Sequence, residues 1–184
     1  MAARGTKLNG TLRAFIERQP MFFAATADVT GRVNVSPKGM DTLRIQADDR
    51  IVWLNLSGSG NETAAHVRAT GRMTLMFCAF EGKPMILRVY GQARVVHPRD
   101  VGWDTLVAGF PVLAGSRQIF DLAVDMVQTS CGTGVPEMTY RRSRGEEELV
   151  PFYEDMGAEG VQAYWRRKNT TSIDGAPTGI FDES

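Results

Sequence analysis

Cysteine and histidine are scarce: 184 residues hold two of each. Cys78 and Cys131 cannot build the dense disulfide framework of a small secreted scaffold, and lone thiols of this kind fit a reducing compartment, where they are expected to be buried. His66 stands in a helical segment and His97 before Pro98, with no ligand cluster around either, so no metal centre is expected. An excess of one charge is missing too. Lys plus Arg number 21 and Asp plus Glu number 21, and this balance gives no support to a nucleic-acid binder. The clusters Arg141/Arg142/Arg144 and Arg166/Arg167/Lys168 read as solvated faces. No apolar run nears the ~18 residues of a membrane span, and no signal-peptide pattern opens the chain. The expectation is a cytoplasmic protein, residues 1–184 forming one domain large enough for its own core.

What is present is a succession of short apolar runs separated by turn residues. Residues 21–27, 42–46, 50–56, 72–80, 85–96 and 118–127 read as strands, with a further return beginning at 32–35 and interrupted by Pro37 and Gly39. Gly91 inside 85–96 marks a bulge or bend. Helical spacing covers residues 9–19, where Leu12, Phe15 and Ile16 share a face, and short stretches at 63–70, 99–108 and 154–168. Residues 169–184 look poorly ordered. Tight turns imply antiparallel pairing, and many strands around one core imply a closed or partly closed barrel with helices at its margins.

The segment Gly58-Ser59-Gly60-Asn61-Glu62-Thr63 joins an apolar strand to a short helix. A glycine turn opening a helix directs unpaired N–H groups at one point and suits a phosphate. Ser59 and Glu62 also have the S-x-x-E spacing of a capping box, and both readings stay open. A Rossmann reading fails, because the third glycine and the following crossover are absent. Ser36 and Lys38 sit at a strand end beside Pro37, where a lysine can pair with phosphate. Arg88 lies inside an apolar strand, so its charge points outward or reaches an anion. The loop S-C-G-T-G-V-P-E-M at 130–138 carries two glycines and a proline after a long strand.

Taken in order, V-x-V-S-P-K-G, L-x-L-S-G-S-G-N-E-T, M-T-L-M-F-C-A-F-E-G and L-R-V-Y-G resemble the FMN-binding split-barrel proteins grouped with pyridoxamine 5′-phosphate oxidase. The 130–138 loop is similar to one in a branch of that group. The resemblance spans residues 13–138 and leaves 139–184 as a C-terminal extension. It implies a six-stranded antiparallel split β-barrel, mainly β with flanking helices, and a homodimer with FMN at the interface. Matched onto this chain, Lys38 holds the flavin phosphate, Asn55 and Leu56 end the strand before the turn, and Ser59, Asn61, Glu62 and Thr63 supply further contacts. Ser36 and Pro37 run along the isoalloxazine, and Arg88 faces the flavin of the other subunit. Where the oxidase has Arg-Lys after the turn serine, this chain has Gly60-Asn61, so two phosphate-pairing charges are missing. Ile86 replaces a glutamine, and residues 154–168 do not match the oxidase's substrate segment despite Trp165 and Arg166. The resemblance therefore implies a flavin-dependent oxidoreductase acting on another small molecule. The alternatives on the same fold are a non-catalytic flavin or haem carrier and a deazaflavin-dependent reductase.

Overall fold

A computed structural model describes residues 3–182. The strands are β1 (Ala3–Gly5), β2 (Met21–Thr26), β3 (Asn34–Gly39), β4 (Leu43–Ala47), β5 (Arg50–Leu56), β6 (Arg72–Cys78), β7 (Ile86–Val96) and β8 (Ser116–Ser130). They form one eight-stranded sheet in the order β3-β2-β6-β7-β8-β5-β4, with β1 paired to β8. Every pairing is antiparallel. The sheet is strongly curled. Phe22 on β2 and Trp53 on β5 lie four places apart in strand order, yet their rings meet edge to face at 5.8 Å. The roll is split between β3 and β4, which end the order without pairing.

Alternation explains the inner lining. On β2, Phe22, Ala24 and Thr26 point inward while Met21, Phe23 and Ala25 are half-buried on the outside. Trp53 stacks on Phe120 at 4.8 Å and Phe22 packs on Phe77 at 5.6 Å, giving an aromatic centre to the core. Each such ring contributes roughly 2–3 kcal/mol through burial. Helix α1 (Gly10–Glu17), capped by the Asn9 side chain on the Leu12 N–H at 3.0 Å, adds Leu12, Phe15 and Ile16 to that core. Gly91 sits at a register shift, and a Cβ there would lie 1.9 Å from the Ala123 carbonyl oxygen, so only glycine permits this crossing. Outside the roll, Val52, Leu54 and Ile119 pack with Leu106 of α3 (Trp103–Val107) and with Phe110.

Several expectations need correction. The sheet has eight strands rather than six, because β1 is present and because residues 34–39 form a complete strand. Pro37 does not interrupt it: β3 is an edge strand, the place in a sheet where proline is tolerated. The strand ends instead at Met40, at φ 65°. The last strand reaches Ser130, and the helix expected at 99–108 shrinks to α3. The terminal helix α4 (Val150–Lys168) begins earlier than expected, after a π-helical turn at Gly145–Leu149. Residues 169–182 are ordered by packing, with Ile180 against Tyr153, Val161 and Trp165, while 183–184 lie outside the described residues. Cys78 is buried but Cys131 is exposed. No described helix is long and apolar enough to cross a membrane.

Candidate functional site

The glycine turn leads into helix α2 (Glu62–Thr70), which ends at Gly71 in the left-handed region, φ 68°. The capping-box reading is overturned. Asn61 is the N-cap, no side chain caps the helix, and Ser59 is exposed. The Glu62 carboxylate lies over Gly60, where a Cβ would run into both its oxygens, and it accepts the Ile173 N–H at 3.3 Å rather than the helix-start N–H groups. Among the described residues, the backbone N–H groups from Gly58 to Thr63 donate to no other residue of the chain. They form the positive end of the α2 dipole.

Asn61 is fixed rather than open. Its oxygen accepts from Gln118 at 2.7 Å and its nitrogen donates to the Asn169 carbonyl at 3.3 Å. The Asn169 side chain donates to the Gly58 carbonyl at 2.9 Å, and Trp165 Nε1 donates to Ser57 Oγ at 2.6 Å. The end of α4 and the tail therefore clamp the turn. A second chain of bonds joins it to β3: Ser36 donates to Asn34 at 3.3 Å, and Asn34 donates to Thr63 Oγ1 at 3.1 Å.

Strand alternation sends Lys38 inward, where its Nζ lies 5.2 Å from the centre of the Trp53 ring. Arg117, the second residue of β8, is 3% exposed. Its Nη1 donates to the Gly60 carbonyl at 3.0 Å. With the Asn55 amide turned to present its oxygen, Nη2 donates to it at 2.9 Å. Its Nε has no partner. Neither Lys38 nor Arg117 has a carboxylate within 4.0 Å among the described residues. Burial pushes the Lys38 ammonium down to about 8, and the nearby Arg117 charge adds to the effect. Burial likewise brings Arg117 down to about 10, with Tyr153 and Glu62 opposing it. A buried guanidinium and a half-buried ammonium without a carboxylate partner are costly unless an anion joins them. A phosphate fits this donor set.

Beside the turn opens a cleft of about 600 Å³ lined by Arg32, Asn34, Ser59, Gly60, Glu62, Lys168 and residues 171–173. Ser59 and Glu62 line this cleft, Ser36 and Thr63 are joined to it through Asn34, and Asn55 is joined through Arg117, while Lys38 stands over Trp53 within reach of the Arg117 and Glu62 charges. Pro37 and Arg88 lie elsewhere, on the outer sheet face, in one rung with Phe23 and Met76. There Arg88 donates to Ser130 Oγ at 3.2 Å. The Leu56 side chain packs outside the roll with Val52 and Leu54. Arg117 and Asn169 carry no local motif. The one signal for Arg117 is a charged residue abutting the apolar run at 118–127. Both histidines are buried, and His66 is bonded through Nδ1 to Thr26 Oγ1 at 3.1 Å.

A family model described as pyridoxamine 5′-phosphate oxidase matches residues 8–131. The pyridoxamine 5′-phosphate oxidase family protein ustO of Aspergillus flavus is 33% identical over 187 residues, covering 92% of this chain and 75% of the relative. Among solved structures, HupZ of Group A Streptococcus superposes with a TM-score of 0.56 at 16% identity, over 67% of this chain and 99% of that one. A candidate pyridoxamine 5′-phosphate oxidase of Lactobacillus delbrueckii gives 0.52 at 18% identity, over 66% and 93%. These structures share the fold, a mainly antiparallel split β-barrel with flanking helices. The matched family segment contains the glycine turn, Lys38 and Arg117 together, and the chain belongs to the pyridoxamine 5′-phosphate oxidase family.

Proposed function

We propose that this protein is an FMN-binding oxidoreductase that works as a homodimer on a small-molecule substrate. The observation that carries the reading is the pair of cations without a carboxylate partner, Arg117 bonded to the Gly60 carbonyl of the glycine turn whose N–H groups are free, and Lys38 close enough to feel the Arg117 and Glu62 charges. The oxidase's Arg-Lys pair is absent from the turn itself, and Arg117 brings a charge to the same place from β8. Bound FMN would supply the hydride or electron chemistry. Lys38 and Arg117 would neutralise its phosphate, and the turn would donate backbone hydrogen bonds along the α2 dipole. Asn55 holds the Arg117 fork in place, and the Asn34–Thr63 link fixes β3 against α2. No side chain is assigned as an acid or base.

The outer sheet face supports the dimer. Pro37, Phe23, Met76 and Arg88 form one outward rung, and Val35, Ala25, Thr74 and Tyr90 form the next. Val35 is 58% exposed in a single chain, which leaves a largely apolar surface to be covered. On this reading Pro37 and Arg88 contact the flavin of the partner across that face, while Ser36 stays with the phosphate side.

The test is direct. Freshly purified protein should show flavin absorption bands, and mass spectrometry should identify the released ligand as FMN. Lys38→Ala and Arg117→Gln should each weaken FMN binding by roughly 1–3 kcal/mol, the loss of a charge-assisted hydrogen bond. A colourless protein that binds no added FMN sinks the reading. Reduction of the bound flavin by NADH or NADPH separates an enzyme from a carrier.

A further inference from the structure

After Cys131 the chain leaves the sheet and returns as a strap along the end of β2. Its near end is tied by the Met138 N–H to the Phe80 carbonyl at 2.9 Å. Its far end is folded on itself by Arg142, which pairs with Glu147 and with Glu148, and lies against the sheet at Gly145, where a Cβ would run into the Met40 side chain. Between the strap, the C-terminal end of α1 and the start of β2 lies a cleft of about 800 Å³. That volume suits a small organic ligand.

The lining has two chemistries. Phe80, Met138 and Tyr140 provide apolar surface, and the last two are 50% and 57% exposed. Arg18, Arg141 and Arg144 provide charge, and none of the three pairs with a carboxylate among the described residues. Glu81 is the one acid on the lining. An apolar wall in the same cleft as guanidinium groups without a carboxylate partner is complementary to an apolar ring that bears an acid group. We propose that this cleft binds an aromatic organic anion, its ring against Met138, Tyr140 and Phe80 and its acid group among Arg18, Arg141 and Arg144. Met21 lines the cleft and shares the outward sheet face with Phe23 and Pro37. An anion held here therefore lies next to the surface assigned above to the flavin ring. Use of the cleft as a substrate site rests on the flavin reading; binding itself does not.

The probe is 8-anilinonaphthalene-1-sulfonate, titrated against the full-length protein with fluorescence as the signal. One saturable site per chain is expected, competed by 1-naphthoate and not by the neutral 1-naphthalenemethanol. The Arg141→Gln/Arg144→Gln double variant should raise the dissociation constant by roughly tenfold or more, and Tyr140→Ala should also weaken the probe. All three residues are exposed, so the melting temperature and the flavin content should match the parent's. Absence of saturable binding, as when a second copy of the chain covers the cleft, overturns the proposal. So does unchanged affinity in the double variant, or equal competition by the neutral compound. A preparation that binds the probe but no flavin sinks the flavin reading and leaves the cleft assignment standing.

Discussion

Lys38 and Arg117 carry like charges into a region of low dielectric, and each holds its proton less firmly than it would in water. For Lys38 the value falls from 10.5 to about 8, through burial first and the Arg117 charge second, against the opposing pull of Glu62. The consequence for stability has a definite sign. Between about pH 8 and 10.5 the unfolded chain binds more protons at this lysine than the folded one, so ligand-free stability rises with pH across that window. Below pH 8 both states are charged, and the folded state bears the full penalty of burying the ammonium. An anion reverses the preference by favouring the charged lysine. FMN binding above pH 8 should therefore take up a proton, and affinity should fall as pH rises through about 8. Calorimetry in buffers of different protonation enthalpy reads the uptake, and Lys38→Gln should abolish it. Proton-independent binding by the parent protein would remove Lys38 from the phosphate site.

At the scale of elements, the turn is shaped less by its own residues than by what presses on it. Asn169, the residue after α4, donates its side-chain amide to Gly58 and accepts Asn61 and the Thr178 hydroxyl at its carbonyl, the latter at 2.5 Å. The Asn169→Ala variant leaves the Gly58 carbonyl without this donor, at a cost of about 1–3 kcal/mol in a buried setting. Urea unfolding should show that loss, and flavin titration should show weaker binding because the turn is no longer held in register. If stability falls while flavin affinity is unchanged, the tail supports the fold and has no part in positioning the turn. The ordering of 169–182 has the same origin. A polar, proline- and glycine-containing stretch with little local preference becomes fixed by long-range bonds and by burial of Ile180.

For the whole molecule, the proposed homodimer rests on the outward rungs of β3, β2, β6 and β7. The inner positions Met73, Leu75 and Phe77 are fully committed to the core at 3%, 0% and 2% exposure, so they have nothing left to offer a partner. Thr74 and Met76 on the other face do. A homodimer through this face should be lost in Val35→Glu, which places a charge on an exposed apolar position without touching the core. Light scattering should report a dimer for the parent chain and a monomer for the variant, with flavin lost in step. A variant that remains dimeric moves the interface elsewhere.

Local pattern alone determined most of the strands, the antiparallel pairing and the bulge at Gly91. Each depends on a two-residue alternation or a turn chemistry contained within a few neighbouring residues. Lys38 and the turn at 58–63 were legible for the same reason, as a strand end beside proline and a glycine-rich entry to a helix. The site as a whole was not. Arg117 meets Gly60 across 57 residues of sequence, and Asn61 meets Asn169 across 108. No local propensity records such a pairing, because its free energy exists only once the curled sheet has brought the two segments together. Alternation could say that β3 has two faces but not which one faces inward. The roll of the sheet settled that, directing Ser36 and Lys38 to the inside and Pro37 to the outside, because closing the barrel buries one set of side chains and leaves the other for solvent or a partner.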